Sequence, residues 1–431
     1  MTPDCRGTAS KSDGPAVASC RAVPDIRRSF GDQGRMEPRT TTTVAMIGAP
    51  WCEGQNLDGV DLAPTALRDA GIAKAIEALN LEFCDAGDVD FSQVTLGTSP
   101  HRYTASLYRQ WQSESPTDNF ATWVNNRRTS TSHQNLHALG SGKKRSYEDA
   151  LHELNRQDAE SKVNVVNAEV MGAGLHVIHE KVKATLGSMT PSPFVLTVGG
   201  DHSIASATIS ALAAQHPRLG VIWVDAHADA NTPRSSPSGH YHGMPAAHLL
   251  GWFDKPGELG RDAKPADLRG FEWFRPCIAE NKLAYIGLRD VDAEEGRMLR
   301  RSGVRVFTMR DVDKYGIARV VEMAIEAVGP DMDCPLHLSL DIDSVDPFFA
   351  PGTGTVARGG LNYREIHYIC EECALSRRLV SLDLVEVNPA LDPAMPPRSM
   401  HGDNPDIITA TPPTVRLAIE LILSALGKQI C

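Results

Sequence analysis

The stretch GVIWVDAHAD, residues 220–229, joins an uninterrupted apolar run to a segment rich in aspartate and histidine. The run GVIWV does not alternate between apolar and polar residues, which is typical of a strand buried on both faces of a parallel sheet. Similar runs recur along the chain, with helix-like stretches between most of them. This alternation predicts an α/β fold in which helices cover both faces of a parallel sheet.

The predicted strands are runs of β-branched and apolar residues. They cover residues 42–50, 81–91, 193–198, 220–224, 283–288, 304–309, 335–343 and 379–387. Apolar residues at helical spacing predict helices over residues 60–79, 160–186, 203–215, 292–301, 311–328, 362–374 and 413–427. Two helix layers around one sheet make one domain, which we predict at residues 43–431.

Two segments lack such a pattern. Residues 1–42 are rich in Ser, Arg and Gly, and we predict a disordered N-terminal extension there. Residues from about 92 to 155 are dense in Ser, Thr, Asn, Arg and Gln without a sustained period. This composition predicts a long low-complexity insertion at the surface of the domain.

Composition and charge exclude several classes of protein. The chain has 43 Lys and Arg against 54 Asp and Glu, a formal net charge of −11, which argues against binding to nucleic acid. No apolar run approaches the ~20 residues that span a bilayer, so we predict no membrane association. The N-terminus lacks the apolar segment of a secretory signal. We predict a cytoplasmic protein, with mitochondrial import as the alternative.

Polar motifs follow four of the predicted strands at the point where each strand ends. They are VGGDHS (198–203), DAHAD (225–229), DIDSVDP (341–347) and EVNP (386–389). Each motif alone is also typical of a turn or a helix cap. Ligands of open α/β sheets bind outside the carboxyl ends of the strands, so the joint occurrence of the four motifs indicates a functional site.

The spacing within two of these motifs predicts that their side chains converge. In an extended chain, alternate residues point to the same side. If the strand geometry persists, Asp225, His227 and Asp229 face one point, and Asp341 and Asp343 do the same.

With His202, this set contains four carboxylates and two imidazole rings. Four anions held together would repel one another and bind protons unless cations were present. Oxygen and nitrogen ligands without a thiolate favour Mn, Mg, Zn or Fe. Four carboxylates further indicate two cations with bridging ligands.

Motifs spread along the chain resemble the ureohydrolase family, and within it the arginases. They are GQNLDGVDLAPTALRDAGI (54–72), GGDHS (199–203), GVIWVDAHADANTP (220–233), SGHYHG (238–243), YIGLRDVD (285–292), DIDSVDP (341–347), APGTGT (350–355), GGLNYRE (359–365) and DLVEVNP (383–389). The resemblance covers about residues 44–91 and 160–430. It implies a three-layer α/β/α sandwich around a mainly parallel sheet of about eight strands.

The resemblance also implies a centre of two Mn²⁺ ions per subunit. The positions that match its ligands are His202, Asp225, His227, Asp229, Asp341 and Asp343. Asp225 and Asp341 would bridge the two ions. A hydroxide between the metals would attack the guanidinium carbon of L-arginine, and the products would be L-ornithine and urea.

Three residues match the catalytic positions of the family. Asp229 would bind the hydroxide and carry its proton to the leaving amine. His242 resembles the residue that moves protons to solvent, a role suited to an imidazole, although a loop histidine facing water is the alternative. Glu386 would pair with the guanidinium group.

Other matches concern the amino-acid end of the substrate. Asn231 and Ser238 match positions near the substrate carboxylate. Asp292 matches a position near the ammonium group, and Glu295 would assist it. Thr355 matches a position on the guanidinium side. Agmatine lacks the carboxylate, so this pattern favours L-arginine.

The chain departs from the family at His240, where arginases usually have Asn. A histidine can still donate from one ring nitrogen, so we predict a pH-dependent contact with the substrate carboxylate, with a solvent-facing ring as the alternative. An extra segment at residues 392–413 precedes the last helix. The resemblance implies a homotrimer or hexamer, and this segment lies near regions that family trimers use for contacts.

The leading hypothesis is therefore a manganese-dependent arginase. One alternative is another ureohydrolase, such as an agmatinase. A different class is a regulatory relative without catalysis, which should have lost metal ligands. The six ligand positions are all filled in this chain, which favours the enzyme.

Overall fold

One sheet of eight strands organises the described part of the chain in the computed structural model. The strands are β1 (Thr43–Ala49), β2 (Glu82–Asp88), β3 (Phe194–Gly199), β4 (Gly220–Val224), β5 (Leu283–Leu288), β6 (Arg305–Thr308), β7 (Leu336–Asp341) and β8 (Leu379–Val385). They lie in the order β2–β1–β3–β8–β7–β4–β5–β6, and every neighbouring pair is parallel. The predicted strands and the parallel sheet are confirmed.

The structure describes residues 43–92, 94, 163–260, 262–329, 334–393 and 411–428. The predicted N-terminal extension lies outside the described residues. So do most of the predicted insertion at residues 92–155 and most of the segment at residues 392–413. The division of the chain into an extension and one catalytic domain stays a prediction.

Helices cover both faces of the sheet. They are α1 (Ala63–Asp69), α2 (Ile72–Glu77), α3 (Ala168–Leu186), α4 (Ala205–Gln215), α5 (Pro245–Leu249), α6 (Ala293–Arg301), α7 (Met309–Tyr315), α8 (Ile317–Val328), α9 (Tyr363–Leu375) and α10 (Pro413–Ala425). The first apolar cluster packs α1, α2 and α7–α10 on one face, and the second packs α3–α6 on the other. The three-layer α/β/α architecture is confirmed.

Alternation along the strands explains the two clusters. Val44 and Met46 of β1 belong to the first cluster, whereas Ile47 and Ala49 belong to the second. Successive side chains of a strand point to opposite faces, so each buried strand contributes to both cores. This is why the strands read as continuous apolar runs in the sequence.

Two predicted helices are divided in the structure. The helix predicted over residues 60–79 is interrupted at Gly71, where φ is 85°, and the one predicted over residues 311–328 is interrupted at Gly316, where φ is 77°. Positive φ lies outside the right-handed helical region, and glycine adopts it at little cost. Apolar spacing continues across both glycines, which is why the prediction joined the pieces.

Two further helix starts differ from the prediction. The helix predicted from residue 160 begins at Ala168, after Asn167 with φ of 51°. The helix predicted from residue 203 is preceded by a 3-10 turn, His202–Ile204, whose N-cap Asp201 accepts a hydrogen bond from the backbone N–H of Ser203. This cap orients the turn that follows β3.

Candidate metal centre and substrate site

The four polar motifs follow the carboxyl ends of β3, β8, β7 and β4, which are consecutive in the sheet. Because these strands are parallel, their carboxyl ends lie along one edge. The sheet therefore brings the motifs together although they are far apart in the chain. This edge is where open α/β sheets bind ligands.

A first group of ligand atoms surrounds the His202 ring. Its Nδ1 lies 3.0 Å from Oδ2 of Asp225, 3.1 Å from Oδ2 of Asp229 and 3.1 Å from Oδ2 of Asp341. His202, Asp225 and Asp341 are buried and place their ligand atoms within 4.8 Å of one another. Three carboxylates and one imidazole thus meet at one point.

A second group surrounds the His227 ring. Its Nδ1 lies 3.0 Å from Oδ2 of Asp343 and 3.5 Å from Oδ1 of Asp225. Asp225 therefore belongs to both groups, with Oδ2 toward His202 and Oδ1 toward His227. This arrangement is what a carboxylate that bridges two cations requires.

The side chains converge, but the predicted geometry of the chain was wrong. β4 ends at Val224, before the DAHAD motif, and Asp229 has a positive φ of 48°. Asp341 is the last residue of β7, and Asp343 lies in a 3-10 turn. Turns, rather than a continued strand, aim the ligands at the centre.

Burial and charge repulsion raise the pKa of several of these carboxyl groups. Burial, reinforced by Asp343 and Asp225, raises the pKa of Asp341 well above its usual value. Burial and the charge of Asp225 likewise raise the pKa of Asp343. The same two causes raise the pKa of Asp229 to about 6. Divalent cations would remove this repulsion, and the oxygen and nitrogen donors fit such ions.

Side chains behind the ligands hold them in place. The Trp223 indole N–H donates to Oδ2 of Asp225 at 2.9 Å, and the indole stacks on the His202 ring with centroids 4.3 Å apart. Nε2 of His202 lies 2.9 Å from Oγ of Ser339. Such partners fix the orientation of a metal-ligating imidazole. The sequence prediction missed both, although Trp223 and Ser339 each precede a predicted ligand by two residues.

Glu386 lies beside the first ligand group. It is buried, and its φ is 61°. Its Oε1 accepts a hydrogen bond of 2.9 Å from the backbone N–H of His202 and lies 3.2 Å from Nδ1 of His242. Its Oε2 accepts a hydrogen bond of 2.8 Å from Nε2 of Gln55. Burial lowers the pKa of His242, but the hydrogen bond and charge of Glu386 outweigh it and raise that pKa to about 9.

The pKa of Glu386 itself is lowered. Burial alone would raise this pKa, but the hydrogen bond and the charge of His242 outweigh burial. Hydrogen bonds from the backbone N–H of His202 and from Gln55 lower the pKa further. Glu386 is therefore held as a carboxylate, which is the form that pairs with a guanidinium group.

Residues 51–59 form a loop that reaches this part of the site. The backbone N–H of Gly54 donates to Oδ2 of Asp201 at 2.8 Å, and its carbonyl accepts the backbone N–H of His242 at 3.1 Å. A Cβ at Gly54 would lie 2.8 Å from Oδ1 of Asp201, so the close approach requires glycine. Gln55 and Asp201 belong to motifs that resemble the ureohydrolases, but the sequence prediction gave them no role.

A second polar cluster contains residues that the sequence predicted for the amino-acid end of a substrate. Nδ2 of Asn231 donates a hydrogen bond of 3.0 Å to Oδ2 of Asp292. The Ser235 hydroxyl donates a hydrogen bond of 2.8 Å to Oδ1 of Asn231. Glu295 accepts the backbone N–H groups of Ala230 and Asp292 at 2.9 and 3.0 Å. Burial raises the pKa of Glu295 to about 8. Ser235 was missed by the sequence prediction.

The remaining predicted residues lie at the edges of these clusters. Thr355 donates to Oδ2 of Asp343 at 2.7 Å, which places it beside the second ligand group. Ser238 is exposed, and its Oγ accepts the backbone N–H of His240 at 3.2 Å. The His240 ring is half-buried, with its centroid 6.2 Å from that of His242. Thr355 thus lies at the second ligand group, whereas Ser238 and His240 lie in the loop that leads to His242.

Comparison with known proteins agrees with this geometry. The Arginase family model matches residues 42–427. The chain is 33% identical to an arginase of Plasmodium berghei (strain Anka), over 90% of this chain and 93% of that protein. It is 37% identical to the mitochondrial arginase-2 of Bos taurus, over 82% of this chain and 79% of that protein. The structure of an arginase from Bacillus caldovelox matches with a TM-score of 0.63 and 29% identity, covering 91% of this chain and all (100%) of that one.

Proposed function

Since this chain belongs to the arginase family of metal-dependent hydrolases, we propose that it hydrolyses L-arginine to L-ornithine and urea at a centre of two Mn²⁺ ions. The observation that carries this proposal is the pair of ligand groups that share Asp225. A single continuous segment, residues 225–242, carries ligands of both groups and residues of the amino-acid cluster. This proximity suits a substrate with a guanidinium group at one end and an amino-acid group at the other.

The metal ligands divide between the two groups. His202, Asp225, Asp229 and Asp341 would hold one ion, and His227, Asp225, Asp341 and Asp343 would hold the other. When bound, the ions would lower the pKa of water enough to supply a nucleophile near neutral pH. The buried carboxylates offset the charge of the cations, which is the reason that this site suits two of them.

Glu386 would orient the guanidinium group. Its carboxylate is fixed by donors on both oxygens, Gln55 on one side and the backbone of His202 on the other. A fixed carboxylate binds guanidinium through two parallel hydrogen bonds and thereby sets the position of the guanidinium carbon.

Asp229 and His242 would move protons. As a carboxylate beside the first ligand group, Asp229 would accept a proton from the attacking water and deliver it to the leaving amine. Asp229 bends toward the centre through its left-handed backbone, so its carboxylate reaches the first ligand group. His242 retains partial exposure, with 20% of its side chain accessible, and would exchange that proton with solvent.

The amino-acid end of L-arginine would be bound by the second polar cluster. Asn231, Ser238 and His240 would contact the α-carboxylate, and Asp292, supported by Glu295, would contact the α-ammonium group. Thr355 would line the guanidinium side. Agmatine offers no carboxylate to the first three residues, so L-arginine should be preferred.

The experiment that tests this function is urea release by the manganese-loaded protein. The substrates are L-arginine, agmatine, 4-guanidinobutyrate and formiminoglutamate at matched concentrations. We expect the highest kcat/KM with L-arginine. A preference for agmatine would assign the chain to a different ureohydrolase activity, and the absence of urea and of bound metal would favour a relative without catalysis.

We also propose an assembly and a location for the protein. A homotrimer or hexamer is the assembly that the family resemblance suggests, and light scattering of the purified protein measures it. The helices in the described part of the chain all lack the length and apolar character that a membrane span needs. We propose a cytoplasmic location, with mitochondrial import as the alternative. Imaging of the tagged full chain would distinguish the two locations.

A further inference from the structure

A short segment at residues 163–166 binds the turn at the amino-acid end of the site. Nδ2 of Asn164 donates to the carbonyl of Ser236 at 2.9 Å. The backbone N–H of Val166 donates to the carbonyl of Gly239 at 2.9 Å. The two hydrogen bonds therefore hold both the first and the last residue of the turn.

The turn itself is closely fitted to Asn164. Gly239 has φ of 75°, and its backbone N–H donates to Oγ of Ser236 at 2.9 Å. A Cβ at Gly239 would lie 2.6 Å from Oδ1 of Asn164. The backbone N–H of His240 donates to Oγ of Ser238 at 3.2 Å, so the Ser238 hydroxyl and the His240 backbone are joined where the turn ends.

The segment is anchored independently of the turn. Val163 and Val165 are buried in the same apolar cluster as Met171 of α3. Asn167 directly follows the segment, and its carbonyl accepts the backbone N–H of Met171 at 2.8 Å, so the segment leads straight into the helix. Asn164 therefore extends from a fixed support to the turn.

We propose that Asn164 is a positioning residue that determines the affinity of the site for the α-carboxylate of its substrate. It acts through Ser238, an exposed residue of the turn that it supports, and through the half-buried His240, which directly follows that turn. The inference rests on the proposed function. A turn held in its binding conformation loses less conformational freedom when the carboxylate binds. Loss of the Asn164 side chain would release the turn and leave the Ser236 carbonyl without this donor.

The test replaces Asn164 by an uncharged residue of similar size, Asn164→Leu, so that no charge is added near the carboxylate. We expect the KM for L-arginine and the inhibition constant for L-ornithine to rise together by about fivefold, while kcat stays within about twofold. L-Ornithine has the carboxylate but no guanidinium group, so its binding reports the amino-acid end alone. Bound manganese should be unchanged, because Asn164 touches no ligand.

Asn281→Leu is the matched control, since Asn281 is exposed and precedes β5 at the opposite edge of the sheet. This variant should leave both constants unchanged. A second variant, Gly239→Ala, perturbs the same contact from the side of the turn and should raise the same two constants. A fall in kcat with unchanged KM, or wild-type constants in Asn164→Leu, would overturn the inference.

Failure of the proposed function is distinguished by the wild-type protein. If it releases no urea from L-arginine, the function is wrong, and the support of the turn is then measured by amide hydrogen exchange. Exchange over residues 236–240 should be faster in Asn164→Leu than in Asn281→Leu. Equal exchange in the two variants would overturn the inference on its own.

Discussion

Gln55 donates a hydrogen bond of 2.8 Å to Oε2 of Glu386, although 331 positions separate the two residues in the chain. Both side chains are buried, so water cannot easily replace the donor. Gln55 thus fixes the carboxylate that would receive the guanidinium group.

Replacement of Gln55 by leucine should lower kcat/KM for L-arginine by about tenfold, because a buried carboxylate oxygen loses its donor. Gln215→Leu is the matched control, since Gln215 donates an equal bond of 2.8 Å to Ser192 at the surface. That change should alter kcat/KM by less than about twofold. Equal losses in the two variants would show that Glu386 does not depend on Gln55.

Metal stoichiometry should depend on which ligand is removed. Asp225 faces both ligand groups, so Asp225→Asn should abolish tight binding of both ions. His227→Asn should remove about one of the two ions, because His227 faces only the second group. Elemental analysis after dialysis measures both. Retention of one ion by Asp225→Asn would contradict the shared ligand.

Chelation should lower the midpoint of thermal unfolding, because the cations bind the folded state and relieve the repulsion among its carboxylates. Addition of Mn²⁺ after removal of the chelator should restore the midpoint. Calorimetry with and without EDTA measures the difference. An unchanged midpoint would indicate that the folded protein holds no cation.

His240 should make substrate affinity depend on pH. Burial, followed by the neighbouring charge of His242, lowers the pKa of His240, so its ring becomes cationic only in acidic solution. A cationic ring attracts the α-carboxylate, so the His240 contribution to the KM for L-arginine should weaken as pH rises through this pKa. His240→Asn should remove that component and leave the bound metal unchanged. Parallel pH profiles of KM for the two proteins would show that the ring faces solvent.

His248 should make the fold sensitive to acid. It is buried against Phe253 and Phe274, and burial lowers its pKa from 6.5 to about 3. The unfolded chain binds more protons at this residue between those pH values, so stability is lost as pH falls below about 6.5. In His248→Gln, the loss of unfolding free energy between pH 6.5 and 4 should be smaller by up to about 3 kcal/mol. Denaturant titrations at the two pH values measure this, and equal losses would contradict it.

The strands and ligand types could be predicted because each leaves a local signal. A strand buried on both faces is a continuous apolar run, as in GVIWV, and its polar exit marks the edge of the sheet. The charge excess of the ligand set is likewise visible in short motifs. Both features can be predicted without knowing which strands are neighbours in the sheet.

Contacts between distant segments could not be predicted in the same way. The hydrogen bond from Gln55 to Glu386 depends on the path of the loop at residues 51–59. The hydrogen bond from Asn164 to Ser236 depends on where α3 begins. The positive φ of Asp229 is also not indicated by residue type, because aspartate usually adopts negative φ. Helix breaks at Gly71 and Gly316 were missed because apolar spacing continues across them.

The position of β8 has a consequence for how the protein is made. β8 is the last of the described strands to leave the ribosome, yet it lies between β3 and β7, near the middle of the sheet. Until it arrives, β1–β3 and β4–β7 have no shared strand, and the ligands His202 and Asp341 belong to separate halves. The sheet must therefore close after synthesis has passed residue 385, through pairings between residues far apart in the chain, which is slow. A chain truncated before β8 should lack the metal centre altogether, however well each half had begun to fold.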